Sequence, residues 1–140
     1  MNKNKNINIY QTVNDLIHES GGPSQTVFNL STKLNKFLDI KIITNNAKDF
    51  SNYAKKIDLK VLETSSHKKK SLLISPEVDS LLYSLKISPN TIFHDNGIWL
   101  PFNNSISRFC FKNNIPSVIS THGMLEPWSL NNKKIKKKIA

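Results

Sequence analysis

Short apolar runs alternate with amphipathic segments along this chain, and the alternation predicts its architecture. INIY (7–10) reads as a first strand, with a polar connection after it through Ser20. In GGPSQTVFNLSTKLNKFLDI, Val27, Leu30, Leu34, Phe37 and Leu38 fall at helical spacing. Pro23 suits the first helical position, because its missing N–H costs nothing there and its φ is already helical, so Gly22 is the predicted N-cap. IKIIT (40–44) is a second strand. DFSNYAKKI puts Phe50, Tyr53, Ala54 and Ile57 on one helical face, and LKVLE (59–63) is a third strand.

Residues 64–73 are polar and lysine-rich and read as a loop. Ser75, Pro76 and Glu77 then supply an N-cap, a first turn and an acid matched to the helix dipole, with Val78, Leu81, Leu82 and Leu85 turned inward. TIF (91–93) is a short strand leading into HDNGIW. Pro101 starts another helix with Phe102, Ile106, Phe109 and Cys110 on its apolar side, and PSVIST (116–121) is the last strand, expected to be buried. Because parallel neighbours need crossovers, strands alternating with helices predict an α/β fold: a parallel sheet with helices on both faces. Ligands of such sheets bind beyond the carboxyl ends of the strands. ESGGPS, HDNGIW and THGMLEPW all follow strands or lead into helices, so they are expected to converge on one edge.

Composition bounds this picture. The 140 residues suffice for one domain with a real core. No run approaches the roughly 18 apolar residues of a membrane span, and MNKNKNINIY contains no apolar segment of signal-peptide length, so the chain reads as cytoplasmic. The single cysteine, Cys110, rules out an internal disulfide; among Phe109, Phe111 and Ile106 it reads as buried packing, with a reactive thiol as the alternative. The formal net charge is +10. Lys, Asn and Ile are abundant throughout, as an AT-rich coding bias would produce, so only HKKK (67–70) and KKIKKK (133–138) remain as solvated faces or anion-binding patches.

The candidate chemistry is sparse. At Gly21 and Gly22 the chain lacks side chains where a helix begins, which lets backbone N–H groups meet an anion or simply permits a tight turn. A helix terminus contributes roughly 0.3 to 2 kcal/mol to an anion, whereas micromolar affinity takes about 8 kcal/mol. This turn can orient a phosphate but cannot hold a nucleotide alone. His122, beside Gly123, suits a hydrogen bond to a sugar hydroxyl, proton transfer near neutral pH, or a structural bond. His94 and Asp95 form an acid and base pair, or cap a turn with Asn96 and Gly97. Trp99 and Trp128 offer flat faces for a sugar ring, a lipid tail or the core. The four histidines lack ligand spacing, no Asp-x-Asp pair occurs, and G-x-S-x-G and the dinucleotide and phosphate-loop motifs are missing, so neither metal nor cofactor is expected.

In combination, GGPSQTVFNLSTKL, HDNGIWLP and IPSVISTHGMLEPWSL resemble the N-terminal domain of family 4 glycosyltransferases, retaining enzymes built from two Rossmann-like domains in the GT-B fold. The resemblance spans residues 7–140, and HGMLEPW is its most specific part. It implies that residues 1–140 are the acceptor-side, Rossmann-like half of a GT-B architecture without the donor-binding domain, and that the isolated chain is inert. His122 would be catalytic, orienting the donor sugar; Gly21, Gly22 and Gly123 would lie on the donor side, and Asn96, Gly97 and Trp99 on the acceptor side. The implied partners are a nucleotide-sugar donor, a glycan or lipid-linked acceptor in surface polysaccharide synthesis, and a separate C-terminal domain; no nucleic acid is expected. Lysines worth about 1 kcal/mol each near anionic headgroups would favour the inner face of the plasma membrane. The alternatives are one half of a split glycosyltransferase, or a non-catalytic basic module that binds anionic membrane or nucleic acid.

Overall fold

The strand and helix periods of the sequence become the layers of the molecule in a computed structural model, which describes residues 4–64 and 73–131. In chain order these are β1 (Asn4–Thr12), α1 (Gly22–Leu34), β2 (Leu38–Thr44), α2 (Ser51–Lys56), β3 (Lys60–Glu63), α3 (Pro76–Ser84), β4 (Thr91–Asp95), α4 (Pro101–Lys112), β5 (Ser117–Ile119) and α5 (Pro127–Asn131). A 3-10 turn, His18–Ser20, precedes α1. All strand pairings are parallel, in the order β3-β2-β1-β4-β5. The chain therefore builds outward from β1 to β3, then returns to the other side of β1 for β4 and β5. The strand order reverses between β1 and β4, which is where open α/β sheets form their crevice.

Strand alternation feeds two separate cores. Ile40 and Ile42 of β2 pack with Val27 and Phe28 of α1 and Ala54 of α2. On the opposite face, Tyr10, Ile43 and Phe93 meet Val78 and Leu82 of α3 and Phe102, Ile106 and Phe109 of α4. Tyr10 and Phe93, neighbours across β1 and β4, stack with ring centroids 4.9 Å apart. Helices thus cover both faces of the sheet, as the alternation predicts. Cys110 is buried in the second core, and burial, reinforced by the negative charge of Asp95, pushes its thiol up to about 12, so it packs and does not react.

Three expectations need correction. Gly21, with φ 75, caps α1, and Gly22 is already its first residue; the chain turns in the left-handed region one position earlier than expected. Helix α1 ends at Leu34, because Leu38 is taken into pairing with β1; Leu30 and Phe37 are exposed, and the buried stripe is Ser24, Val27, Phe28 and Ser31. The last strand is an exposed edge, not a buried strand: Val118 is 55% and Ile119 48% accessible, since β5 pairs with β4 alone among the described strands. Ser75 does cap α3, accepting from the Val78 N–H at 3.5 Å. Both lysine clusters, HKKK and KKIKKK, and most of the predicted loop at 64–73 lie outside the described residues.

Candidate functional site at the carboxyl rim of the sheet

Three turns meet the carboxyl edge, after β1, β4 and β5. A polar network spans the switch point between the first two. Thr12 and Asp95 are direct neighbours across β1 and β4, and the Thr12 hydroxyl donates to Asp95 Oδ1 at 2.6 Å. The next residue, Asn96, is buried, and its Nδ2 reaches Gln11 Oε1 at 3.2 Å, the Thr12 carbonyl at 3.1 Å and the His94 carbonyl at 3.1 Å. With the amide nitrogen facing three acceptors, Oδ1 is left to accept. It lies 2.8 Å from His122 Nε2.

That contact fixes the histidine chemically. Its partner being an acceptor, Nε2 carries the proton, so in the neutral ring Nδ1 holds the lone pair. His122 itself is exposed and adopts φ 47, followed by Gly123 at φ 77. A left-handed non-glycine residue costs on the order of 1 kcal/mol or more and persists only where neighbours hold it. Asn96 supplies the hold on the ring, and the Met124 N–H closes the turn onto the Thr121 carbonyl at 2.9 Å. Trp99 is half-buried, and its indole N–H donates to the Met124 carbonyl at 3.4 Å, tying the turn after β4 to the turn after β5.

Gly97 is buried beneath this arrangement with φ 151, and a Cβ there would stand 3.1 Å from the Asn103 carboxamide. Gly21 and Gly22 sit farther along the same rim, at the start of α1, where a Cβ on either would meet nothing within 4 Å. The first turn of α1 has no side-chain cap and no acidic residue, so its N–H groups are left for solvent or an anion. Ser24 anchors that turn to the rim by donating to the Asp15 carbonyl at 2.5 Å.

The Asn96–His122 and Trp99–Met124 hydrogen bonds tie together the two turns that carry Gly97 and Gly123, with the Gly21 and Gly22 turn placed at the same edge by the parallel topology. His94 and Asp95 are not an acid and base pair. Successive strand residues face opposite sides, so Asp95 enters the α4 core side while His94 Nε2 bonds Ser120 Oγ at 2.7 Å. Burial, and then the charge of His122, lower the His94 pKa. Trp128 is 72% accessible. A cavity of about 460 Å³ lies at the other end of the sheet, between Leu82, Phe109 and Pro116 where β4 and β5 begin, and takes no part in the rim.

Sequence reasoning missed Gln11, Thr12, Asn103 and Ser120. Only Asn103 left a signal. It shares the 3- and 7-residue spacing of Ile106 and Cys110, a polar residue inside an apolar helical stripe. Among the described residues no group of three or more His, Cys, Asp or Glu side chains is placed to hold a metal ion, and no helix is long and apolar enough to cross a membrane.

Fold and rim together define a Rossmann-like α/β protein with a histidine-bearing polar cluster at its switch point. No family model matches the chain, and no curated protein matches it.

Proposed function

We propose that this chain is the acceptor-side domain of a retaining glycosyltransferase that moves a sugar from a nucleotide-diphosphate donor to a glycan or lipid-linked acceptor. One observation carries the reading: His122 is held in a left-handed turn at the carboxyl rim, its Nε2–H bound to Asn96 and its Nδ1 left as an acceptor. An acceptor nitrogen on an exposed residue, beside a glycine that lets a ligand approach the backbone, suits a sugar hydroxyl as donor. The uncapped start of α1 suits the diphosphate. These groups favour a polar, anionic ligand with hydroxyls over an apolar one. The acceptor pocket would be bounded by Trp99.

The test is a backbone-amide and histidine-ring NMR titration with inorganic pyrophosphate, then with diphosphate sugars of several bases. Pyrophosphate should shift Gly21 and Gly22. The sugar nucleotides should shift Gly123 and the His122 ring in addition, with millimolar affinity, about 4 kcal/mol. His122→Ala should weaken the sugar-dependent part by roughly 2- to 10-fold, as expected for one hydrogen bond of about 0.5–1.5 kcal/mol. Rim signals that stay still at ~10 mM ligand, well above the expected constant, would end the proposal.

A further inference from the structure

The rim rests on a buried carboxyl group whose hydrogen bonds do not balance. Asp95 is 1% and Asn103 3% accessible. Asp95 Oδ1 is well supplied, receiving the Thr12 hydroxyl at 2.6 Å and Asn103 Nδ2 at 2.8 Å. Asp95 Oδ2 and Asn103 Oδ1 have no partner at all. An ionised carboxylate only accepts, and a carboxamide oxygen only accepts, so two buried acceptors on already bonded side chains are left short of donors. Leaving such a group buried and unpaired is unfavourable, and more so if it is charged. No cation offsets the charge: among the described residues no lysine, arginine or histidine donates to Asp95.

One proton resolves both vacancies. We propose that on the acid side of its titration Asp95 is the neutral acid, its Oδ2–H donated to Asn103 Oδ1 while Asn103 Nδ2–H is donated back to Asp95 Oδ1, and that this closed acid–amide ring is a pH-sensitive support for the turn carrying Asn96, Gly97 and His122. The ring sits where such control is possible. Asn96 follows Asp95 directly and holds His122, and Gly97 lies against the Asn103 carboxamide with no room for a side chain to relax. Loss of the proton puts two oxygens in repulsion under that turn.

The surroundings favour the neutral form. Burial raises the Asp95 pKa to about 6, against smaller opposing effects from the Thr12 and Asn103 hydrogen bonds and the adjacent Asn96 N–H, which itself donates to the Thr12 carbonyl. The groups facing it are Thr12 from β1, Asn103 and Cys110 from α4 and the Asn96 backbone; Cys110 alone is titratable, and its thiol stays neutral. The His122 ring reaches the same network through Asn96, and the His94 ring through Ser120, whose N–H donates to the Asp95 carbonyl. The device stands whether or not the rim binds a sugar nucleotide, and its test contains none.

Carbon-detected NMR of aspartate-labelled protein should show the Asp95 carboxyl titrating with a midpoint near 6, about two units above its ordinary value of 3.8. The Asn96 and Gly97 amides should move in step with it. In Asp95→Asn the amide-to-amide ring keeps both bonds without a proton to lose, so that step should vanish. The variant should match wild type in melting temperature at pH 4 and exceed it at pH 8. An Asp95 carboxyl already ionised at pH 5 would overturn the proposal, and so would amides that ignore its titration. The wild-type titration decides the matter even if the variant does not fold.

Discussion

Gly97 and Gly22 look alike in sequence, yet the structure makes different demands on them. At Gly97 the backbone is in the left-handed half of φ space and a Cβ would press on a carboxamide already bonded to Asp95. Gly97→Ala is expected to cost roughly 1–3 kcal/mol in urea denaturation, the usual range for such strain. At Gly22 the space is open and the residue is helical, so Gly22→Ala should be within about 0.5 kcal/mol of wild type. Equal losses for the two would mean that packing under Gly97 is not what the geometry shows. His122 and Gly123 could be singled out from sequence because polar and glycine residues end an apolar run. Nothing local marked Gln11 or Thr12, whose roles exist only because β4 lies beside β1.

Element types could be read from periodicity, while element ends could not. The 3.6-residue pattern of α1 runs on through Leu38, but pairing with β1 takes Leu38 into β2 and the helix stops at Leu34. Likewise VIS looks like a buried strand, because β-branched residues fit either the centre or the edge of a sheet. Its position in the order makes it an edge with two accessible apolar side chains and an open row of backbone groups, the kind of edge that invites pairing between molecules. Val118→Lys should therefore leave unfolding free energy within about 0.5 kcal/mol of wild type and reduce self-association in sedimentation velocity. A loss of several kcal/mol would restore the buried strand.

For the molecule as a whole, two titrating groups on neighbouring positions of β4 pull stability in opposite directions with pH. Asp95 has a raised folded pKa, so its contribution is complete below about 4 and is lost as pH rises through about 6, a term on the order of 3 kcal/mol. His94 has a lowered folded pKa, so its contribution is complete above the ordinary value of 6.5 and is lost as pH falls through the folded value. His94→Gln, which keeps a polar group for Ser120, should flatten the acid side of a melting-temperature profile between pH 7.5 and 5 and leave the alkaline side alone. An unchanged acid slope would remove burial of His94 as its cause.

The sequence by itself determined the class of fold, because apolar periods of two and 3.6 residues leave few ways to bury every apolar face other than a parallel sheet between helices. It also placed glycines and a histidine after strands, hence on the carboxyl edge. Which residues touch there was decided only by tertiary structure. Strand order brings Thr12 beside Asp95 and Asn96 beneath His122 across more than 20 positions of chain, and pairing at that distance depends on burial and backbone hydrogen bonding between strands, which no local pattern encodes.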